Sequence, residues 1–262
     1  MSAPDDRSAE GRGDPDRSRE TSATTAWRDL RRFTDARVGL GRTGTALPTA
    51  AHLDFQEAHG RARDAVWSAL DPAALRQALA PLGSPVLHVR SAAPERRTYL
   101  LRPDLGRRLA EGATLPSAPG SVAFVVADGL CATGVQRHAP AVLERLIPAL
   151  PLPVGPILVA EQARVALGDE VGERIGAAAV VVLIGERPGL SATDSLGLYI
   201  TWAPRRGRTD AERNCISNVR PGGLSYGEAA AKAAWLLRAA AGLGATGVAL
   251  KDEMPAGVLP AP

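Results

Sequence analysis

The sequence predicts an α/β fold: a mostly parallel sheet flanked by helices, preceded by a small helical N-terminal segment and a disordered tail. Three observations carry this. Beyond Pro81, short β-branched runs are separated by alanine- and leucine-rich helical stretches, the grammar of βαβ units in a Rossmann-like sheet. Glycines and polar residues collect just after those runs, where open α/β sheets place ligand-holding loops. Residues 1–25 are Asp, Arg, Ser, Glu, Gly and Pro with almost no bulky apolar side chain, too little to offset the entropy of ordering. The expected division is therefore a tail at 1–25, a helical segment at 26–82 and an α/β domain at 83–262 with a frayed Pro-rich end after Met254.

Taken in order, Trp27–Phe33 reads as a short amphipathic helix, and Gly39-Leu-Gly-Arg-Thr-Gly44 breaks the pattern. The latter lacks the Lys-Ser/Thr ending of a phosphate loop, so it reads as a flexible connector. Thr49–Trp67 is helical in period, with an imperfect stripe of Leu53, Phe55, Ala58, Ala62 and Trp67. Strands are expected at Val86–Val89, Val122–Val126, Ile157–Val159, Val180–Ile184, Gly197–Trp202 and Gly247–Leu250, and helices at Gln136–Ala149, Gly168–Ala177 and Ser225–Ala241. The last helix begins with Ser225 and Glu228 in capping-box spacing.

Composition narrows the function. The formal charge of +3 is spread along the 262 residues without a basic block, which argues against nucleic acid as a partner. Arginine greatly outnumbers lysine, of which there are only Lys232 and Lys251, and this reads as coding bias. Cys131 and Cys215 are too far apart in sequence to suggest a zinc set or a disulfide framework, and a reducing cytoplasm is expected. His52, His59, His88 and His138 form no metal spacing. No apolar run approaches the ~20 residues of a membrane span, and the charged start lacks a signal peptide's apolar core, so a soluble, unexported protein is expected.

Three constellations merit attention. Ala127-Asp-Gly-Leu-Cys-Ala-Thr-Gly134 links a strand to a helix, and either lets backbone approach a ligand or simply turns the chain at Asp128-Gly129; it lacks dinucleotide-fingerprint spacing. Gly185-Glu-Arg-Pro-Gly189 places Glu186 at the carboxyl edge of the most apolar strand, as a hydrogen-bond acceptor for a ligand or as one half of a structural ion pair. Cys215, in Arg213-Asn-Cys-Ile-Ser-Asn218, reads as a small side chain permitting close approach of a large planar ligand rather than as a nucleophile.

The wording at Asp29–Arg37, Gly39–Arg42, Leu53–His59, Ala127–Leu130, Ile184–Ser191, Asp194–Leu196 and Cys215–Asn218 resembles the small (light) subunit of ethanolamine ammonia-lyase, with similarity continuing to Lys251. That resemblance implies an α/β subunit joined to a larger barrel-shaped subunit, with adenosylcobalamin held between them. The positions matching the cofactor contacts are Val165, in Gln162-Ala-Arg-Val-Ala-Leu167, together with Glu186 and Cys215. It further implies conversion of ethanolamine to acetaldehyde and ammonia, started by cobalt–carbon homolysis, with ethanolamine bound by the large subunit. No catalytic acid, base, nucleophile or protein metal ligand is then expected in this chain. The Asp-x-His-x-x-Gly motif of other cobalamin proteins is absent, in keeping with the cofactor's own benzimidazole serving as lower ligand. Some members of the family work inside a bacterial microcompartment, to which an N-terminal segment helps link them. The polar residues 1–25 lack an amphipathic apolar face and favour a free cytoplasmic complex instead. A standalone nucleotide-dependent α/β enzyme would need a phosphate fingerprint or a catalytic triad, and a structural adaptor would not need so many polar loops at the sheet edge.

Overall fold

The computed structural model describes residues 29–255. The expected tail, the start of the short helix at Trp27 and the end of the chain beyond Pro255 lie outside them. Of that short helix, Asp29 and Leu30 are helical and a turn follows at once. The described residues divide into two compact units, the first ending at Ala58 and the second beginning at His59.

Helix α1 (Thr49–Trp67) forms where its period predicts, but only Ala58 is buried; Leu53, Phe55 and Trp67 of the expected stripe are 56%, 40% and 52% exposed. In the second unit, α2 (Pro72–Leu79) starts with Asp71, whose carboxylate accepts from the Ala73 and Ala74 amides, and with proline at the first helical position, where a missing N–H costs nothing. There follow β1 (Val86–Arg90), α3 (Arg96–Leu101), β2 (Val122–Ala127), α4 (Ala132–Leu146), β3 (Val154–Glu161), α5 (Leu167–Ile175), β4 (Ala179–Gly185), β5 (Leu196–Trp202), β6 (Asn214–Val219) and α6 (Tyr226–Leu243). The capping box at α6 is formed as its spacing predicts, with the Ser225 hydroxyl accepting from the Glu228 amide and the Glu228 carboxylate accepting from the Ser225 amide.

The six strands lie in the order β1-β3-β2-β4-β5-β6. The first four are parallel and β5 and β6 are antiparallel additions, so the sheet is mostly parallel with a mixed edge. β2 and β4 are buried at every position, which is why they read as continuous apolar runs rather than alternating ones. Alternate residues feed two cores. Phe124, Val126, Val181, Leu183 and Leu198 belong to a core that includes residues of α2, α4 and α6. Val125, Leu158, Val180 and Val182 point the other way, into a smaller core with Leu167 and Val171 of α5. α5 packs on the middle of that face, against β2 and β4.

One sequence expectation is corrected. Gly247–Leu250 is no strand; Gly247–Ala249 form a 3-10 turn. Gly247 has φ of +77°, donates its N–H to Asn214 Oδ1 at 2.8 Å, and a Cβ there would lie 2.0 Å from the Ala211 carbonyl oxygen. A left-handed residue wedged against backbone cannot continue as extended chain.

Candidate functional site

The loops that follow the parallel strands are tied into one framework at their carboxyl ends. The Asp128 carboxylate, after β2, accepts from the amides of Gln162 (2.8 Å) and Ala163 (3.0 Å), after β3. Arg96 at the start of α3 donates to the Gly129 carbonyl at 2.8 Å and lies 3.4 Å from Asp128. The Leu130 amide donates to the Gly185 carbonyl at 2.9 Å, joining the β2 and β4 loops. This approach requires glycine: a Cβ on Gly185 would lie 2.0 Å from the Cys131 carbonyl oxygen, and one on Gly129, where φ is +55°, would lie 2.3 Å from the Gly185 oxygen. Asp128-Gly129 is thus a turn, closed by the Cys131 amide on the Asp128 carbonyl, and Gly129 also lines a cleft. Burial dominates the electrostatics of Asp128 and pushes its pKa up to about 6, despite the opposing backbone hydrogen bonds and Arg96.

Above this framework lies an open cleft of about 450 Å³, lined among others by Tyr99, Leu130, Arg164, Val165, Glu186 and Tyr199. Val165 reaches it from the turn between β3 and α5, and Glu186 from the first position after β4. The Glu186 carboxylate forms no ion pair among the described residues. It accepts the Asn218 amide at 3.1–3.2 Å, bridging from β4 toward β6 across Gly197, whose Cβ would crowd its Oε1 at 3.1 Å. One N–H leaves most of the carboxylate's acceptor capacity unused.

Cys215 does not line this cleft. It stands on edge strand β6, exposed, in register with Tyr199 of β5, whose side chain does line it. Burial pushes the Tyr199 phenol pKa up, and Cys215, which shares a hydrogen bond with it, and Glu186 push the same way. The Cys215 thiol is also pushed up, mainly by desolvation, with Glu186 adding and Tyr199 opposing. A raised thiol pKa keeps the sulfur protonated near neutral pH, the reverse of an activated nucleophile.

Sequence reasoning missed Tyr99, Tyr199, Arg164 and Arg187 as lining residues. The alternation along Gly197–Trp202 carried a usable signal, because it puts Gly197, Tyr199 and Thr201 on one face; the partner strand was needed to show which face Cys215 shares. The histidines are held structurally where their partners are visible: His138 is fully buried with Nδ1 2.8 Å from the Tyr226 hydroxyl, and His88 meets Glu161 at 2.7 Å. Among the described residues no group of three or more His, Cys, Asp or Glu is placed to hold a metal, and no helix is long and apolar enough to cross a membrane.

Fold and cleft together define an α/β domain of the kind that seats ligands beyond the carboxyl ends of its parallel strands. Residues 24–251 match the family "Ethanolamine ammonia-lyase light chain (EutC)". The chain is 55% identical over 246 residues to the ethanolamine ammonia-lyase small subunit of Azotobacter vinelandii, covering 90% of this chain and 91% of that one. It is 54% identical to the protein of the same description from Xanthomonas campestris pv. campestris (89% and 90% covered) and 54% identical to that of Bradyrhizobium diazoefficiens (86% and 90% covered). The chain belongs to the ethanolamine ammonia-lyase light chain family.

Proposed function

We propose that this chain is the subunit that, with a large catalytic subunit, holds adenosylcobalamin for the deamination of ethanolamine to acetaldehyde and ammonia, and that Val165, Glu186 and Cys215 are its contacts to the cofactor. The observation that carries this reading is the meeting of Val165 and Glu186, distant in sequence, in one open cleft at the carboxyl edge, with the Cys215–Tyr199 pair beside it.

The donor set suits a corrinoid. Such a ligand presents a broad apolar body with amide donors at its rim, and the cleft offers apolar Val165 and Leu130, a carboxylate with unused lone pairs, and a small uncharged thiol on the neighbouring strand. In this reading Glu186 orients the cofactor by accepting amide hydrogens, Val165 packs against it, and Cys215 leaves room for it. When bound, the cofactor supplies the radical chemistry. The chain's own residues bind, orient and exclude water; none is assigned a proton-transfer role, because the cleft pairs no general base with a nucleophile and its cysteine neighbour is protonated. The complex is proposed to work in the cytoplasm, with a microcompartment as the alternative setting.

The purified chain is expected to form no acetaldehyde from ethanolamine with adenosylcobalamin, and mixing it with its large subunit is expected to start turnover. Acetaldehyde production by this chain alone would overturn the assignment.

A further inference from the structure

Beyond the Val165–Glu186 cleft lies a larger depression of about 720 Å³ between the turn at residues 103–108, the start of α5 and the loop at 206–210. Six arginines line it: Arg107, Arg108, Arg164, Arg206, Arg208 and Arg213. Three are neutralised by neighbours. Arg213 donates to both oxygens of Asp169 at 2.5 and 2.8 Å, Arg206 pairs with Glu170, and Arg208 pairs with Glu212. The other three are not. Arg107 and Arg108 are exposed and have no hydrogen-bonded or ion-paired carboxylate among the described residues. Asp104, the acid of their own turn, is already held by Arg102 through two hydrogen bonds of 3.0 and 2.8 Å. Arg164 lies 4.4 Å over the Tyr99 ring, which also carries Arg96 at 4.9 Å, and its Nε is buried with no hydrogen-bond partner.

Asp104 acts on Arg108 through space without an ion pair. Three guanidiniums without a paired carboxylate around one concave surface leave an excess of positive potential there, and the planar fork of arginine matches phosphate oxygens in pairs. We propose that Arg107, Arg108 and Arg164 form an anion subsite that takes a phosphoryl group. Arg164 and Val165 line both clefts, so a single ligand crossing Arg164 would touch both. The phosphoryl group then has two possible sources: the phosphodiester in the nucleotide arm of the corrinoid, or a free phosphate-bearing molecule. The first source rests on the cofactor reading above, and the second stands without it.

The test uses the full chain in complex with its large subunit, and equilibrium binding followed by absorbance or calorimetry rather than activity. Three probes are compared: cobinamide, cobinamide phosphate, which differs only by the phosphate, and inorganic pyrophosphate. Each is titrated into the wild-type complex and into the Arg107→Ala/Arg108→Ala double variant, whose changes are exposed and leave the core intact. If the corrinoid is the source, cobinamide phosphate binds wild type about tenfold or more tightly than cobinamide, a gain fitting charge-assisted hydrogen bonds, and the double variant loses that preference. If a free molecule is the source, the two corrinoids bind alike while pyrophosphate binds wild type and is lost in the variant. A phosphate preference that survives the double variant, or no phosphate-dependent binding by any probe, overturns the proposal. A Glu186→Gln complex that binds both corrinoids as tightly as wild type would instead count against the cofactor reading, leaving the pyrophosphate comparison as an independent measure of the arginines.

Discussion

In the proposed cofactor reading Glu186 and Cys215 have different physical roles, and substitution separates them. Glu186→Gln keeps the shape of the side chain but removes the charge and half of the acceptor capacity, so cobalamin retention is expected to weaken by about 1–3 kcal/mol, the cost of leaving a donor poorly paired. Cys215 is proposed to act through its size: Cys215→Ala is expected to be mild, whereas Cys215→Trp should block docking on the exposed strand. Cofactor binding to the reconstituted complex measures both, and an alanine variant as defective as the tryptophan one would give the thiol a chemical role. Asp128 makes a pH prediction. Its folded pKa of about 6 lies above the ordinary value of ~3.9, so the folded state binds this proton more tightly than the unfolded state. Its contribution to stability is full below about pH 4 and declines as the pH rises through about 6, by on the order of 1–3 kcal/mol. Denaturant unfolding of wild type and Asp128→Asn across pH 3–8 should show their stability difference changing in that window, and a pH-independent difference would contradict the burial argument.

Between elements, the joint that matters most is the buried Arg213–Asp169 pair, both side chains 2% exposed, which links α5 to the β5–β6 edge with Thr201 as a further acceptor for Arg213 at 3.2 Å. Burial works against the charge on Asp169 and pushes its pKa up, and the hydrogen bonds from Arg213 offset that. Arg213→Ala leaves the carboxylate buried without its partner, and urea unfolding is expected to register a loss of about 3–5 kcal/mol, with part of it recovered when Asp169 is also made apolar. A loss below about 1 kcal/mol would mean that the edge is held by other contacts. The same edge marks the limit of what the sequence shows. β2 and β4 were legible because both faces are buried, and α6 because Ser225 and Glu228 announce its start. β6 was not, since only Ile216 and Val219 of its residues are buried and the rest reads as a polar loop. Gly247–Leu250 misled for the opposite reason: its apolar residues imitate a strand, while a left-handed glycine pinned by Asn214 decides otherwise. The placement of Glu186 followed directly from strand β4, whereas its link to Asn218 and the pairing of Cys215 with Tyr199 depend on a register that appears only once β6 is in place.

For the whole molecule, the family match begins at residue 24, and the sequence before it carries almost no bulky apolar side chain. Removing residues 1–25 is therefore expected to leave assembly with the large subunit and turnover unchanged, although solubility can shift with the loss of charge. Size-exclusion chromatography and an acetaldehyde assay of the truncated complex check this, and loss of activity in soluble truncated complex would assign the segment a role at the partner. In the proposed function the Glu186 cleft completes a cobalamin site that neither subunit holds alone. The most direct test of this is an equilibrium titration of adenosylcobalamin into the large subunit, into this chain and into their mixture. Tight retention by the mixture alone, weakened by Glu186→Gln, is the expected result; retention by the large subunit alone, as tight as by the mixture and indifferent to Glu186, would contradict it.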